Sequence, residues 1–324
     1  MNVFGFNVFP PEEQPQVIGG YSYITVGPGQ QYPNFEAAYN AEPTRSTFVF
    51  LGAVDDSGSI FDTIEYRSMI LMAPQSSWDI EDAEFSANSQ FFIKALCPTY
   101  SLEYSGDLGG CPRIDMGKNG IAEIFLATIE FTGVAVILNS ATYLSGGTMV
   151  FRDCRVTEEF SGGPVFLDTN VIVKNSQLDL QQYGMSFLVG ATTASLVIEN
   201  SIGQCAIDIA SAGVEVDLKF VDLFADTGMI LSLPSGIVAS VSKCRFLTRS
   251  TVDEAVAVAG PLGASGTGIQ VGFWDCNFFS AHPTNPAFSA AAAWANAQFY
   301  GCTSRNGYDA NISFEAGNTS NETS

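Results

Sequence analysis

Basic side chains are scarce in this chain. Its 324 residues hold 13 Lys and Arg against 34 Asp and Glu, a net charge of −21. No basic stripe can be built from so few cations, which excludes nucleic acid as a partner. Histidine is nearly absent too: His282, in the turn-like AHPTNP, is the only one. A Ser/His/Asp triad or a multi-His centre would rest on that single residue, so no metal and no cofactor is expected. The 7 Cys include no C-x-x-C pair, which argues against a zinc ribbon. No apolar run reaches the roughly 18 residues of a membrane span. The opening MNVFGFNVFPPEEQ has neither a basic n-region nor a continuous apolar h-region, so no membrane partner is expected and assembly in a cytoplasm is. With an odd Cys count, this favours reduced thiols.

What the chain does have is a repeat. FRDCRV at 151–156 returns as FWDCNF at 273–278. Taking the third position as the reference, the same pattern can be placed on Gly133, Asp153, Asn175, Asn200, Asp222, Lys243, Asp275 and Gly301. The spacings are 20, 22, 25, 22, 21, 32 and 26 residues. Two positions earlier the residue is apolar throughout: Phe131, Phe151, Val173, Ile198, Phe220, Val241, Phe273 and Phe299. One position later it is small or apolar, and at Cys154, Cys244, Cys276 and Cys302 it is cysteine. Asp, Asn and Gly tolerate a left-handed backbone best, so the reference reads as a sharp bend between strands. Lys243 breaks the rule and is expected to be strained.

A period of 20–26 residues with strand-like content predicts a solenoid. Val, Ile, Phe and Thr dominate the repeating segments and no L-x-x-L-x-L occurs, which excludes helical and leucine-rich repeats. The fold class expected is all-β: a right-handed single-stranded parallel β-helix with an N-terminal capping helix. Equivalent residues then stack coil on coil at about 4.8 Å. Cys244, Cys276 and Cys302 fall in one interior column. The domain layout expected is an extended arm over 1–20, the β-helix over 21–305, and a polar tail over 306–324. Loop excursions are expected at 251–268 and 281–297.

Residues 33–43, PNFEAAYNAEP, predict a short helix capped by Asn34, with Phe35, Ala38 and Tyr39 on one face. STFVFLGAV at 46–54 and SMILMAP at 68–74 predict strands of successive coils. The whole stretch YITVGPGQQYPNFEAAYNAEPTRSTFVFLGAV resembles the opening of pectin-lyase-like β-helices, which include pectin methylesterases and phage tailspikes. The likeness covers about 35 residues in detail and the rest only as coils. It implies the fold and transfers no catalytic residue. The D-F-I-F-G and W-G-R-P stretches of the methylesterases and the R-x-P-x-x-R context of the lyases do not occur.

Two acids deserve naming from spacing alone. Four positions after the bends stand Thr157, Asp179, Gln204 and Asp226. Asp179 and Asp226 would lie two coils apart, about 9.6 Å between backbones. That is near the upper limit of an inverting glycosidase pair, roughly 6.5–9.5 Å. Glu158 and Glu159 lie close in sequence. In a chain this acidic, such a pair is expected by chance, so these four are weak catalytic candidates and the chain is not expected to be an enzyme. Were it one, it would be a glycoside hydrolase or polysaccharide lyase. Trp274, Trp294 and Tyr300 are candidates for stacking on sugars. In the N-terminal arm, Phe4, Phe6 and Val8 alternate and Phe9 precedes Pro10 and Pro11, as in a docking strand.

The likeness to phage β-helices thus implies a structural component of a virus particle: a head decoration, vertex spike or tail-associated protein. It would sit on the virion surface as a homotrimer, docked on other virion proteins through the arm. The alternative is a tailspike-like glycosidase or an adhesin that binds a host surface glycan.

Overall fold

A computed structural model describes residues 16–18, 21–44, 47–61, 68–81, 83–85, 90–96, 112–116, 123–125, 128–138, 143–158, 163–190, 193–263, 271–314 and 321–323. The arm residues Phe4, Phe6, Val8 and Phe9, the acid Glu159, and Cys97 and Cys111 lie outside them.

Among the described residues the chain is a parallel β-solenoid with one short helix. Its strands fall into three columns. One inward row of the first column runs Ile24, Phe48, Ile70, Ile93, Phe131, Phe151, Val173, Ile198, Leu218, Val241, Phe273 and Phe299, each in parallel register with the next. The second column stacks Val54, Trp78, Ile114, Val136, Val156 and Leu178 in the same way. The third begins with Ile124, Leu144, Phe166 and Phe187. Further along it stack Ile207, Leu231, Val256 and Phe288. Strand Gln16–Ile18 departs from this pattern by running antiparallel to Tyr21–Val26.

Register puts like on like. Phe131 lies over Phe151 at 5.3 Å and 10°, Phe246 over Phe278 at 6.0 Å and 6°, and Phe273 over Phe299 at 4.9 Å and 18°. Such contacts contribute roughly 0.5–1.5 kcal/mol each beyond their burial. The repeated motif of the sequence is thereby explained. In FRDCRV, Phe151 and Val156 point inward from two strands, Asp153 makes the bend, and Cys154 points inward beside it.

The bends are left-handed. Gly133, Asp153, Asn175, Asn200, Lys243, Asp275 and Gly301 all have φ between 49° and 69°. One reference was misplaced. Asp222 is an ordinary strand residue, and the left-handed residue of that coil is Phe220, at φ 54°. Register settles the point, since Glu199 pairs with Lys219 and Ser201 with Val221, leaving Asn200 beside Phe220. The inward residue of that coil is therefore Leu218. Sequence favoured Phe220 because it is aromatic. The structure instead turns it outward and 44% exposed.

The residue after the bend carries a ladder of its own. The N–H of Cys154 donates to Ser176 Oγ at 3.1 Å, that of Ser176 to Ser201 Oγ at 3.2 Å, and that of Cys276 to Cys302 Sγ at 3.4 Å. Each side chain also donates back to the carbonyl two residues earlier: Cys154 to Arg152, Ser176 to Lys174, Ser201 to Glu199, Cys244 to Ser242 and Cys276 to Trp274. Cys and Ser are thus hydrogen-bonding members of the corner, beyond merely being small. Burial pushes the Cys154 and Cys276 thiols up to about 12, so they stay protonated and able to donate.

Helix Phe35–Ala41 is capped by Asn34, whose Oδ1 accepts from the Ala37 N–H at 3.0 Å. Phe35 is buried among Phe48, Phe61, Trp78 and Phe91 at ring distances of 5.0, 5.6, 5.6 and 6.1 Å. The carboxylate of Asp56, itself buried, accepts from the N–H groups of Phe35 and Glu36 and from Trp78 Nε1, at 3.1, 2.9 and 2.7 Å. Desolvation still outweighs these donors and raises the Asp56 pKa.

The two presumed excursions contain core elements. Val256–Val258 lies within 251–268 and Phe288–Ala290 within 281–297, and they pair with each other as third-column strands. Trp294–Ala297 pairs with Ile312–Phe314, so the front of the polar tail folds onto the last coil. Tyr308 and Phe314 there pack on Phe299 at 5.2 and 5.6 Å.

Two substitutions test the corner. Ser176→Ala removes the hydroxyl that accepts from the Cys154 N–H and should cost about 1–3 kcal/mol in urea unfolding, whereas Ser176→Cys should cost less than about 1 kcal/mol. Lys243→Asn relieves a left-handed lysine and should raise stability by about 0.5–1 kcal/mol in the same measurement.

Candidate functional site

The acids singled out by spacing do not form a free pair. Thr157, Asp179, Gln204 and Phe224 share one row of the second column, so Phe224 holds the place expected for Asp226. The cause is again the bend at Phe220, two residues before Asp222. Asp179 Oδ2 lies 2.9 Å from Arg155 Nη2, and both side chains are nearly buried, at 11% and 10% exposure. Asp226 is out in solvent and meets Arg249 Nη1 at 3.0 Å and Gln204 Nε2 at 3.1 Å. Glu158 ends the strand Arg155–Glu158 and pairs in register with Leu138.

Arg155, Gln177 and Gln204 are also buried, although their positions should face solvent. Beside this row, between Leu180 and Met185, the strand Gln177–Leu188 has four residues where its partner has only Ala206, a bulge. Nothing in the alternation of the sequence announces it. The lone His282 also has an assigned task, since its Nδ1 accepts from the N–H groups of Thr284 and Asn285 at 3.1 and 2.8 Å. It organises a turn.

The aromatic candidates separate. Trp294 is interior, packed on Phe299 at 5.5 Å. Trp274 and Tyr300 occupy an outward row of the first column and stack at 6.3 Å and 19°.

A concave surface lies elsewhere, on the outer side of the third column, where sequence reasoning placed nothing. A groove of about 620 Å³ spans four coils. Its floor is the outward row Asp208, Ser232, Ala257 and Ser289, which are mutual register partners. Small side chains make it concave. Asp208, Glu254 and Asp309 supply three carboxylates to the lining and no Lys or Arg contributes. Glu254 Oε1 accepts from Ser289 Oγ at 2.7 Å, and Asn311 Nδ2 donates to Ala290 O at 2.8 Å, which fixes two edges. Among the described residues no group of three or more His, Cys, Asp or Glu is arranged to hold a metal ion. The groove offers shape, hydroxyls and negative charge. It suits a cationic or polar occupant more readily than an anionic one.

Comparison with protein-family models, curated proteins and solved structures finds no match to this chain.

The two named acids should behave differently on mutation. Asp179→Ala removes the carboxylate that meets the nearly buried Arg155 and should cost about 3–5 kcal/mol. Asp226→Ala removes an exposed pair and should cost less than about 1 kcal/mol, both read from urea midpoints.

Proposed function

We propose that this chain is a structural component of a virus particle, from a phage: a head decoration, vertex spike or tail-associated protein. In this reading the solenoid is a right-handed parallel β-helix of the pectin-lyase-like kind, and helix Phe35–Ala41 covers its first coil. It stands on the virion surface as a homo-oligomer, a trimer by analogy of fold, and is held by residues 1–15.

The observation that carries the proposal is the unbroken register from Ile24 to Phe299, a continuous rod on which Asp179, Glu199 and Asp226 are tied to cations of neighbouring coils. Side chains committed in this way support shape rather than turnover. The net charge of −21 suits a surface that must not adhere to other particles. Strand Gln16–Ile18, within the arm expected over 1–20, pairs antiparallel with Tyr21–Val26, so a neighbour that held residues 1–15 would pull on the first coil through it.

A second reading, a glycan-binding protein or tailspike-like glycosidase, is favoured by one feature. The outward Trp274 and Tyr300 stack as a platform of the kind that sugars accept.

Peptide mass spectrometry of purified particles tests the first reading. The full chain should be present. Deleting residues 1–15 should leave circular dichroism and melting unchanged while removing the protein from the particle. Incorporation of the truncated chain at the full level overturns docking through the arm, and absence of the full chain overturns the role. Release of reducing ends from host polysaccharide, lost in both Asp179→Asn and Asp226→Asn, would replace this reading with the hydrolytic one.

A further inference from the structure

Phe220 is an anomaly on three counts. It is a large apolar residue left 44% exposed, it holds a left-handed backbone at φ 54°, and it occupies a position filled by Asn175 and Asn200 in the preceding coils. A left-handed backbone is strained in an L-residue with a bulky side chain and persists where something else depends on it. Two ammonium groups flank the ring. Lys243 Nζ lies 5.0 Å and Lys219 Nζ 5.7 Å from its centroid. Among the described residues neither lysine is in ion-pair contact, although Glu199 and Asp217 feel Lys219 at longer range. Ile202, 45% exposed, stands on the adjoining coil beside Asp222. The result is a projecting aromatic knob with two cations, on a chain that is otherwise strongly negative.

The groove of the third column is its complement. It has a floor of Ser232, Ala257 and Ser289, carboxylates of Asp208, Glu254 and Asp309, and no cation in its lining. Its volume of about 620 Å³ accommodates a phenylalanine ring with its neighbours. The two features are also level. The groove strands 207–209, 231–233, 256–258 and 288–290 belong to the coils whose bends are Asn200, Phe220, Lys243 and Asp275. The knob thus sits at the middle two of the four coils that form the groove. Two copies set side by side with parallel axes, without any shift along them, bring knob and groove together.

We infer that the groove lined by Asp208, Glu254 and Asp309 receives Phe220, Lys219 and Lys243 of a second copy of this chain. The contact is heterologous, because one copy offers the knob and the other the groove. The inference rests on the homo-oligomer of the proposed function and names the surfaces through which it forms. Aromatic insertion supplies the buried anchor, and ammonium–carboxylate pairing sets orientation and suppresses other partners.

Sedimentation velocity of the full chain over about 1–100 μM reads the contact, since that range brackets the affinity of a small interface. The wild-type chain should associate reversibly, and more weakly as salt is raised. Phe220→Asn should raise the dissociation constant at least about tenfold. Its melting temperature should rise, because Asn relieves the strained bend. A knob that served only the fold would not give that combination. Ala257→Trp, which fills the groove floor, should also abolish association. Lys219→Glu with Lys243→Glu should dissociate the chain, as should Asp208→Lys with Glu254→Lys, and mixing the two variants should restore association. A wild-type chain that stays monomeric, Phe220→Asn associating as the wild type does, or a mixture that stays apart overturns the inference. Association lost on deleting residues 1–15 but retained in Phe220→Asn overturns this contact and leaves docking through the arm standing.

Discussion

From Gly133 to Gly301 the stack depends on one constraint: the chain must turn sharply between its first and second strands without leaving a buried amide unmatched. A left-handed residue makes the turn, and the next side chain accepts the amide of the coil before it. Asn175 with Ser176, Asn200 with Ser201, and Gly301 with Cys302 share the task in that way. The flanking strands then have no choice of register, because a slip of one residue would turn Phe151 or Val156 out and Arg152 in. The stacked phenylalanines follow from the corner and do not impose it.

The few cations of this acidic chain reinforce the same direction. Arg152 meets Glu130, Arg155 meets Asp179, Lys174 meets Glu199, Arg245 meets Asp222 and Arg249 meets Asp226. Each pair joins neighbouring coils, so the charges act along the axis. Most are exposed and contribute only about 0–1 kcal/mol apiece. Their value lies in fixing which coil lies on which, in a stack where hydrophobic rows alone would tolerate other neighbours.

The period was legible in the sequence because bends need Asp, Asn or Gly and corners need small side chains. Both demands write themselves into residue identity at Asp153, Asn175 and Asp275. The helix was legible through Asn34 and the spacing of Phe35 and Ala38. Phe220 was not, because an aromatic residue two places before an Asp mimics the inward position while in fact making the bend. The third column stayed hidden inside presumed loops, since a three-residue strand such as Val256–Val258 carries too little alternation to stand out. The groove escaped for a related reason. Its floor of Ser232, Ala257 and Ser289 announces no chemistry, and only stacking turns an unremarkable row of small residues into a concavity. The bulge between Leu180 and Met185 and the burial of Arg155 and Gln204 were hidden as well, because no local pattern encodes either.

Asp56 carries a consequence for how the molecule comes apart. Its single carboxylate binds the first turn of the helix and, through Trp78, the coil beyond its own. Pulling the helix away would leave that buried carboxylate with one of its three donors, Trp78 Nε1. The amino-terminal end therefore has no cheap partial opening. Its helix and early coils must exchange their amide protons together, as one cooperative block, rather than peeling rung by rung as a linear repeat otherwise would.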